Sequence, residues 1–222
     1  MQIDTHAHQL SNSTQIVVGV HTLGVHPWEL ILPFDRDLFD QSWNQLITRT
    51  DGIYAMGECG LDRVHANIAD IEDQKYVLLK HFEEAAKRRI PLILHSVRTY
   101  SDVLAIFKKI KFSYPVLLHA FGGNDHEMHE LLKYPVYFSY GARLFNTTNM
   151  LKITPIDRLL LETGDQLEYS IADIYQKASE SLGIELEELE VRLKKNFLTF
   201  FDKFDDVSAT DFIHDLNTRK TN

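Results

Sequence analysis

The stretch Ile3-Asp4-Thr5-His6-Ala7-His8 begins the chain with a short apolar strand that ends in two histidines. The same arrangement recurs at Met56-Gly57-Glu58, Leu92-Ile93-Leu94-His95, Val116-Leu117-Leu118-His119 and Leu159-Leu160-Leu161-Glu162-Thr163-Gly164-Asp165. Imidazoles and carboxylates at the C-terminal ends of successive parallel strands are typical of a metal site at the mouth of a barrel. The pattern therefore predicts a metal-dependent hydrolase.

The pair His6 and His8 supports this interpretation because residues two apart on a strand point to the same side. Such a pair can hold one cation from one side. By itself the pair is weak evidence, since surface histidines are common. Asp4 precedes it in the same register, and the resulting Asp-Thr-His-Ala-His motif is much more specific.

Glu58 follows an apolar strand and lies beside Gly57. A carboxylate in that place can bridge two hydrolytic cations, which are commonly held about 3.5–4 Å apart. The alternative is a strand-end glutamate that pairs with a helix N-terminus or an arginine. The neighbouring glycine favours the metal site, because it lets the backbone turn sharply there.

His95 and His119 end two neighbouring apolar strands. A lone histidine after such a strand is more often a satisfied core residue than a ligand, but two in equivalent positions favour ligation. Imidazole suits zinc and manganese, whereas magnesium prefers oxygen ligands. The ligand types therefore leave magnesium, manganese and zinc open.

The chain reads as one α/β domain over residues 1–222, without internal repeat, low-complexity tract or linker. Apolar runs predict strands at Ile3 to Thr5, Gln15 to Val20, Thr22 to His26, Gly52 to Met56, Pro91 to His95, Pro115 to His119, Val136 to Tyr140 and Arg158 to Glu162. Helical spacing predicts helices near Asp70 to Arg89, Tyr100 to Lys109, Asn124 to Lys133, Ser170 to Leu182, Glu185 to Phe201 and Ser208 to Thr218. Site residues at successive strand ends favour a TIM-like (β/α) barrel over an open sheet.

The first part of the chain breaks this alternation. Only Ala7 to Thr14 separate the first two strands, and Val20 runs almost directly into Thr22. A parallel crossover needs a dozen or more residues, so we expect a hairpin or a distorted ribbon in place of one or two helices. A barrel trimmed or distorted near the N-terminus also fits 222 residues, since a complete one takes about 250.

The formal net charge of −9 bears on possible partners. Proteins that bind nucleic acid by neutralising phosphates normally show a basic surface. Any phosphodiester substrate must therefore be attracted by bound cations and by a few local arginines or lysines. No apolar run approaches the roughly 20 residues of a membrane helix, no signal peptide is recognisable, and Cys59 is the single cysteine. We expect a cytoplasmic protein without a membrane partner.

Taken together, the motifs resemble the TatD family of metal-dependent deoxyribonucleases, within the amidohydrolase-like barrel hydrolases. They keep the family's order from the first residue to about Thr163. The resembling segments are Asp4-Thr-His-Ala-His8, Gly24-Val-His-Pro27, Gly57-Glu-Cys-Gly-Leu-Asp62, Pro91-Leu-Ile-Leu-His-Ser96, Leu118-His-Ala-Phe121 and Leu159-Leu-Leu-Glu-Thr163.

The resemblance implies a TIM-like barrel that binds two divalent cations and hydrolyses phosphodiester bonds of DNA. His6, His8 and Glu58 would hold one cation, and the ligands of the other would be Glu58, His95 and His119. Glu58 would then bridge the two cations.

One position departs from the family pattern. The family's last strand reads Leu-Glu-Thr-Asp, and that aspartate binds a cation and orients or deprotonates the attacking water. Here Gly164 occupies the position and Asp165 follows it. Alternation along a strand points Asp165 away, but the freedom of Gly164 permits a local twist that brings it in. We therefore predict Asp165 as metal ligand and catalytic base. The alternative is a turn-capping Asp165 and an impaired site. Glu162 is expected to be structural and not a substitute ligand.

Three further residues are candidates for contacts around the site. Arg98 can clamp a phosphate with its planar guanidinium, or it can bind the following helix or Asp102. His26 is predicted to contact substrate or a metal ligand, and Asp62 to orient a ligating histidine through its second nitrogen. His21 is expected to be structural. No chemistry is assigned to His65, His81, His126, His129 and His214, which are expected at surface or helix positions.

Two other functions remain open from the sequence. The same barrel can hydrolyse an amide, a lactone or a phosphate ester, since fold does not fix function. A chain with Gly164 in place of the aspartate can also bind metal or a partner without turnover.

Overall fold

The computed structural model describes residues 1–166, 168–202 and 206–219, so the predicted domain end at 222 lies outside the described residues. Its eight strands are β1 Ile3–Ala7, β2 Thr14–Val17, β3 Thr22–Leu23, β4 Ala55–Asp62, β5 Leu92–Val97, β6 Val116–Leu118, β7 Val136–Tyr140 and β8 Leu159–Leu161. Its α-helices are α1 Arg36–Leu46, α2 Ile71–Arg88, α3 Tyr100–Lys109, α4 Asp125–Leu131, α5 Asn149–Ile153, α6 Ile171–Leu182, α7 Leu186–Phe200 and α8 Asp206–Thr218. None of the described helices is long and apolar enough to cross a lipid bilayer.

The strands are parallel and follow one another in space in chain order. Strands β3 to β8 form a six-stranded sheet, and β1 pairs with β2. A bridge between Ala7 and Gly164 joins the end of β1 to the chain just after β8. The amide of Gly164 donates to the carbonyl oxygen of His6 (2.9 Å), and the amide of His8 donates to that of Gly164 (3.1 Å). The predicted parallel α/β architecture is confirmed, and all strand C-termini lie at one edge.

Of the two forms expected at the N-terminus, the hairpin is excluded, because β1 and β2 run parallel. Residues 8–13 connect them. Six extended residues span about 20 Å, enough to return along a five-residue strand of about 17 Å without a helix. The pairing is irregular between Asp4 and Ala7. The predicted distortion near the N-terminus is therefore present. It takes the form of two parallel strands, β1 and β2, joined by a short connection without a helix.

Both faces of the central strands are buried. In β5, Leu92 and Leu94 contact the cluster that includes Val77 and Phe82 of α2, whereas Ile93 belongs to a second cluster. That second cluster also contains Phe212 of α8. Continuous apolar runs are what strands covered on both sides require. Helix α8 packs on β2, and α7 packs on β1 and β8, so the C-terminal helices cover strands that the short N-terminal connections leave without helices of their own.

Helix α1 has no counterpart among the predicted elements. Its N-cap is Asp35, whose side chain accepts hydrogen bonds from the amides of Asp37 and Leu38. Phe39 and Trp43, four residues apart, are its buried side chains. An aspartate N-cap followed by two aromatic residues at helical spacing is a usable sequence signal. With only two buried positions, however, the apolar face of α1 is narrow, and its helical periodicity in the sequence is correspondingly weak.

His81 lies on α2, as predicted for a helix residue, and is fully buried. Its Nε2 accepts a hydrogen bond from the amide of Val25 (2.9 Å), and its Nδ1 lies 2.8 Å from the carbonyl oxygen of Val77. The ring also packs against Trp43. Burial lowers the pKa of His81 to about 4. The folded protein therefore holds this ring neutral and uses it to fix the segment after β3.

We expect His81 to make folding stability pH-dependent. The unfolded chain takes up a proton near the ordinary pKa of 6.5, whereas the folded chain does so only near 4. The stabilisation is thus complete above pH 6.5 and is lost as the pH falls towards 4, by about 3 kcal/mol. Urea unfolding of wild type and His81→Gln between pH 4 and 7, in a chelating buffer, measures the difference. Parallel curves for the two proteins would contradict this expectation.

Candidate metal centre

Glu58 lies at an irregularity of β4 that sets its direction. Met56 pairs with Leu92 of β5 and Cys59 pairs with Leu94, so three steps on β4 oppose two on β5. The extra residue falls between these pairs, at the position of Gly57 and Glu58. Bulges of this kind bend a strand and redirect a side chain. Glu58 is buried, with 4% of its surface exposed.

Five histidines surround the carboxylate of Glu58. The Nε2 atoms of His6 and His8 each lie 3.2 Å from Oε2. The distances to Oε1 are 3.1 Å from His26 Nε2, 3.2 Å from His95 Nδ1 and 2.7 Å from His119 Nε2. Each carboxylate oxygen therefore faces a different set of imidazoles, which is the arrangement expected of a bridging ligand.

Two groups of residues bring their ligand atoms close enough to share an ion. His6, His8 and Glu58, the set that the family resemblance implies for one cation, form one group, and His26, Glu58 and His95 form the other. His119 stands beside the second group, since its Nε2 lies 3.2 Å from Nδ1 of His95. The structure thus places all the predicted histidines around Glu58 and adds His26 as a possible ligand.

Several buried polar atoms at this centre lack hydrogen bonds. They include both ring nitrogens of His6, Oε2 of Glu58 and Nδ1 of His119. Buried polar groups are normally satisfied, and each exception needs an explanation such as an ion. Imidazole nitrogens and a carboxylate oxygen are suitable ligands for divalent cations. The residues present therefore fit a bound metal.

Electrostatics at the centre also favour a cation. Burial opposes ionisation of Glu58, but His119 and His6 outweigh it and hold the pKa of that carboxyl well below its usual range. Burial likewise opposes protonation of His119, yet Glu58 and Glu162 raise its pKa to about 10. The rise in the pKa of His119 between these two carboxylates shows that this position favours positive charge.

A set of contacts behind the centre orients the rings. Asp62, which was predicted to orient a histidine, lies 3.0 Å from Nε2 of His95 through its Oδ2. Glu162 is fully buried, as expected for a structural residue; its Oε1 accepts from the amide of Ala120 (2.9 Å) and lies 3.4 Å from Nδ1 of His119. Carboxylates on the second nitrogen of a ligating histidine fix its orientation and raise its basicity.

Asp165 lies apart from both ligand groups among the described residues. It is exposed on the wall of the cleft, and its Oδ1 accepts a hydrogen bond from the side chain of Gln166 (2.9 Å). Glu58 chiefly raises the pKa of His8, and the charge of Asp165 adds to that shift. Gly164 has φ +63°, and a Cβ built there would meet only Oε1 of Glu162, at 3.8 Å. Ligation by Asp165 stays a prediction.

A cleft of about 1230 Å³ opens over the centre. Arg98 lines it, and the alternative pairing with Asp102 is not formed, because Asp102 binds Arg63 and Lys75. The sequence interpretation did not single out two further residues of this cleft, Arg143 and Trp28. Trp28 follows the Gly-Val-His-Pro segment directly. This adjacency to a family motif is the sequence signal that could have identified Trp28 as a cleft residue.

The fold and the family pattern both have known counterparts. The family model described as TatD related DNase matches residues 3–202. A solved structure from Escherichia coli, YJJV, a TatD homolog, is 24% identical with a TM-score of 0.69, over 82% of this chain and 76% of that one. A hydrolase TatD family protein from Entamoeba histolytica is 20% identical with a TM-score of 0.71, over 88% and 77%. The chain shares the fold of these structures.

Curated relatives carry names of the same kind. The uncharacterized metal-dependent hydrolase YabD of Bacillus subtilis is 28% identical over 147 residues, or 64% of this chain and 56% of that protein. The 3'-5' ssDNA/RNA exonuclease TatD of Cronobacter turicensis is 28% identical over 156 residues, or 64% and 55%. The chain thus matches little more than half the length of these two relatives.

We expect Gly57→Ala to be severely destabilising. Gly57 has φ +124°, and a Cβ there would lie 2.4 Å from the carbonyl oxygen of Ile93. Strain and overlap with backbone together are expected to cost about 3 kcal/mol or more. The matched control is Gly183→Ala, at φ +64° with nothing within 4 Å, where strain alone costs about 1–2 kcal/mol. Urea unfolding measures both, and equal costs would show that the contact with β5 is unimportant.

Proposed function

The chain belongs to the family of TatD-related DNases, and on that premise we propose that it is a metal-dependent nuclease that hydrolyses phosphodiester bonds of DNA. The observation that carries the proposal is the buried carboxylate of Glu58, with two histidine nitrogens at one oxygen and three at the other. The exonuclease named among the relatives supports the choice of substrate.

We propose that Glu58 bridges two divalent cations, of magnesium, manganese or zinc. His6 and His8 would complete the ligands of one, and His95 with His119 or His26 those of the other. Bound divalent cations lower the pKa of water towards neutrality and polarise a phosphoryl oxygen. Such cations also supply the attraction for phosphates that a chain of net charge −9 otherwise lacks.

The protein's own residues hold this arrangement in place. Asp62 fixes the ring of His95, and Glu162 lies behind the ring of His119. Because these two carboxylates are anchored by hydrogen bonds of their own, the rings need little reorganisation during the reaction. Arg98, exposed on the cleft wall, is positioned to bind a substrate phosphate through its planar guanidinium.

Asp165 is the proposed base that takes the proton from the attacking water. It lines the cleft, and its negative charge helps to raise the pKa of His8. Gly164 holds the chain beside β1 through two backbone hydrogen bonds, so Asp165 directly follows a fixed point. Gly164 also favours the alternative, a chain that binds cations but has impaired turnover. The variants below distinguish this alternative from catalysis by Asp165.

We expect Glu58→Gln to reduce metal binding strongly. A neutral amide cannot bridge two cations, so metal content should fall from about two per chain to less than one. Cleavage of a single-stranded oligonucleotide should fall more than about 100-fold, beyond the loss seen when only a ligand-orienting residue is changed. Elemental analysis and a cleavage assay with added Mn²⁺ or Mg²⁺ measure this. Unchanged metal content in a folded variant would refute the proposed centre.

We expect Asp165→Asn to lower cleavage by about 100-fold, within the range of a lost general base. The matched control is Glu168→Gln, another exposed acid of the same cleft wall, which should retain activity. Gly164→Asp in the Asp165→Asn background should restore cleavage, since aspartate tolerates a left-handed backbone and the position has room. If wild type binds metal but cleaves no more than Asp165→Asn, impaired turnover is the correct interpretation.

A further inference from the structure

Arg143 is an exposed cation of the cleft, and none of the ion pairs between described residues includes it. It lies in the 3-10 helix Ala142–Phe145, which follows β7. By contrast, Arg36, Arg63 and Arg192, exposed elsewhere, each pair with a carboxylate. A guanidinium presents its donors in a planar fork that matches the oxygens of a carboxylate or a phosphate. Arg143 is therefore available to an anionic ligand.

Gly122 sets the place of this guanidinium. A Cβ built on Gly122 would lie 2.3 Å from Nη1 of Arg143 and 3.6 Å from its Cζ. Any side chain at this position would therefore displace the guanidinium. Gly122 is not among the glycines with positive φ, so its backbone conformation is open to other residues. The bare backbone of Gly122 is thus needed for the position of Arg143 and not for the turn itself.

Tyr100 contributes a hydroxyl to the same part of the cleft. Its Oη accepts a hydrogen bond from the amide of Gly122 (2.9 Å), and the residue lines the cleft. Burial raises the pKa of Tyr100 to about 12, although the charge of Arg143 counteracts that rise. The hydroxyl therefore keeps its hydrogen at neutral pH, and the described residues provide no acceptor for it. A hydroxyl that accepts from one group can donate to another. We call Tyr100, Gly122 and Arg143 the Arg143 corner.

The neighbouring acids have partners of their own. Glu127 acts on the same hydroxyl through its charge, but its Oε2 accepts from the amide of Asn124 (2.9 Å). On the cleft wall, Asp165 accepts from the side chain of the next residue (2.9 Å), and Glu168 accepts from the hydroxyl of Tyr169. None of these contacts involves a guanidinium. The anion that pairs with the Arg143 corner is therefore expected from a ligand.

Arg143 and Arg98 begin from different strands. Arg98 directly follows β5, whereas Arg143 follows β7, and β6 lies between these strands in the sheet. Neighbouring strands are about 4.8 Å apart, so the two side chains start about 10 Å from each other. Arg98 is already proposed to bind the phosphate that is cleaved. A ligand with a second phosphate group can occupy both positions at once.

We propose that the Arg143 corner binds a second phosphate group of the substrate, so that a short oligonucleotide with a terminal phosphate is preferred over one that carries the scissile phosphate alone. The inference rests on the proposed function for the reaction at the metal centre. The guanidinium pairs with two oxygens of the terminal phosphate, and the hydroxyl of Tyr100 donates to another. The preference is thus for charge at one end of the strand and does not depend on the bases.

Binding of two uncleaved dinucleotides tests the corner directly. Both are thymidine dinucleotides with a phosphorothioate linkage, and one of them carries a terminal phosphate, with the 5′ and 3′ forms measured separately. Titration of the Mg²⁺-loaded protein should show about tenfold tighter binding of at least one phosphorylated form. This gain should be lost in Arg143→Gln. It should persist in Lys152→Gln, which removes an exposed cation of α5 outside the cleft. A gain that persists in Arg143→Gln would overturn the proposal, as would the absence of a gain in the wild type.

Further variants test the position of the guanidinium. Gly122→Ala keeps the charge of Arg143 but displaces the guanidinium, and it should lose most of the gain. Tyr100→Phe removes one donor, and about a threefold loss of affinity for the phosphorylated form is expected. Arg98→Gln should weaken the binding of both dinucleotides and keep the gain. Loss of the gain in Arg98→Gln, together with a full gain in Gly122→Ala, would assign the terminal phosphate to Arg98 and overturn the proposal.

A cleavage assay keeps the two proposals apart. With Mn²⁺ or Mg²⁺, the unmodified dinucleotide with the favoured terminal phosphate should be cleaved at about tenfold higher kcat/KM, chiefly through a lower KM. Arg143→Gln should abolish that difference. A gain in binding without cleavage under any cation would refute the nuclease function and leave the Arg143 corner standing. Cleavage without any difference between the dinucleotides would overturn the corner and leave the nuclease function standing.

Discussion

A buried carboxylate surrounded by imidazole nitrogens is the constraint on which the rest of the structure depends. Glu58 is ionised in the interior because His119 and His6 offset the cost of burying its charge. Polar atoms around it nevertheless remain without hydrogen bonds. Such a group is costly unless something positive binds it. The protein therefore keeps a cluster of imidazoles around a carboxylate that could hold a cation, and its parts come from β1, β4, β5 and the ends of neighbouring strands.

Parallel pairing explains how such distant residues meet. His6, Glu58, His95 and His119 each lie on a parallel strand or directly after one, and parallel strands present their C-terminal ends at one edge. The N-terminal part reaches this edge without crossover helices, through a short return between β1 and β2. Gly164 then connects the last strand to the first by two backbone hydrogen bonds. Gly164, which stands where the family pattern has an aspartate, thus links the two ends of the strand order here.

The residues of the centre were largely predictable, but their surroundings were not. His6, His8, His95 and His119 each follow an apolar run, and a strand-end signal is local. Helix α1 was missed because only Phe39 and Trp43 mark its buried face. The parallel return between β1 and β2 was not predicted, because a six-residue connection is shorter than ordinary parallel crossovers. Trp28 contacts Asp62, which lies 34 residues later in the chain. No local sequence pattern predicts a contact over that separation.

The sequence by itself determined the parallel α/β class and the set of ligand types, because apolar runs and strand-end histidines are read within a few residues. Only the tertiary structure decided that His26 lies beside Glu58 and His95, that Asp165 lies on the cleft wall, and that Arg98 is free of Asp102. These outcomes depend on the bulge in β4, on the twist of the strands and on competition among neighbours for the same partner. Each of these features is set by the packing of the whole chain and not by any one segment.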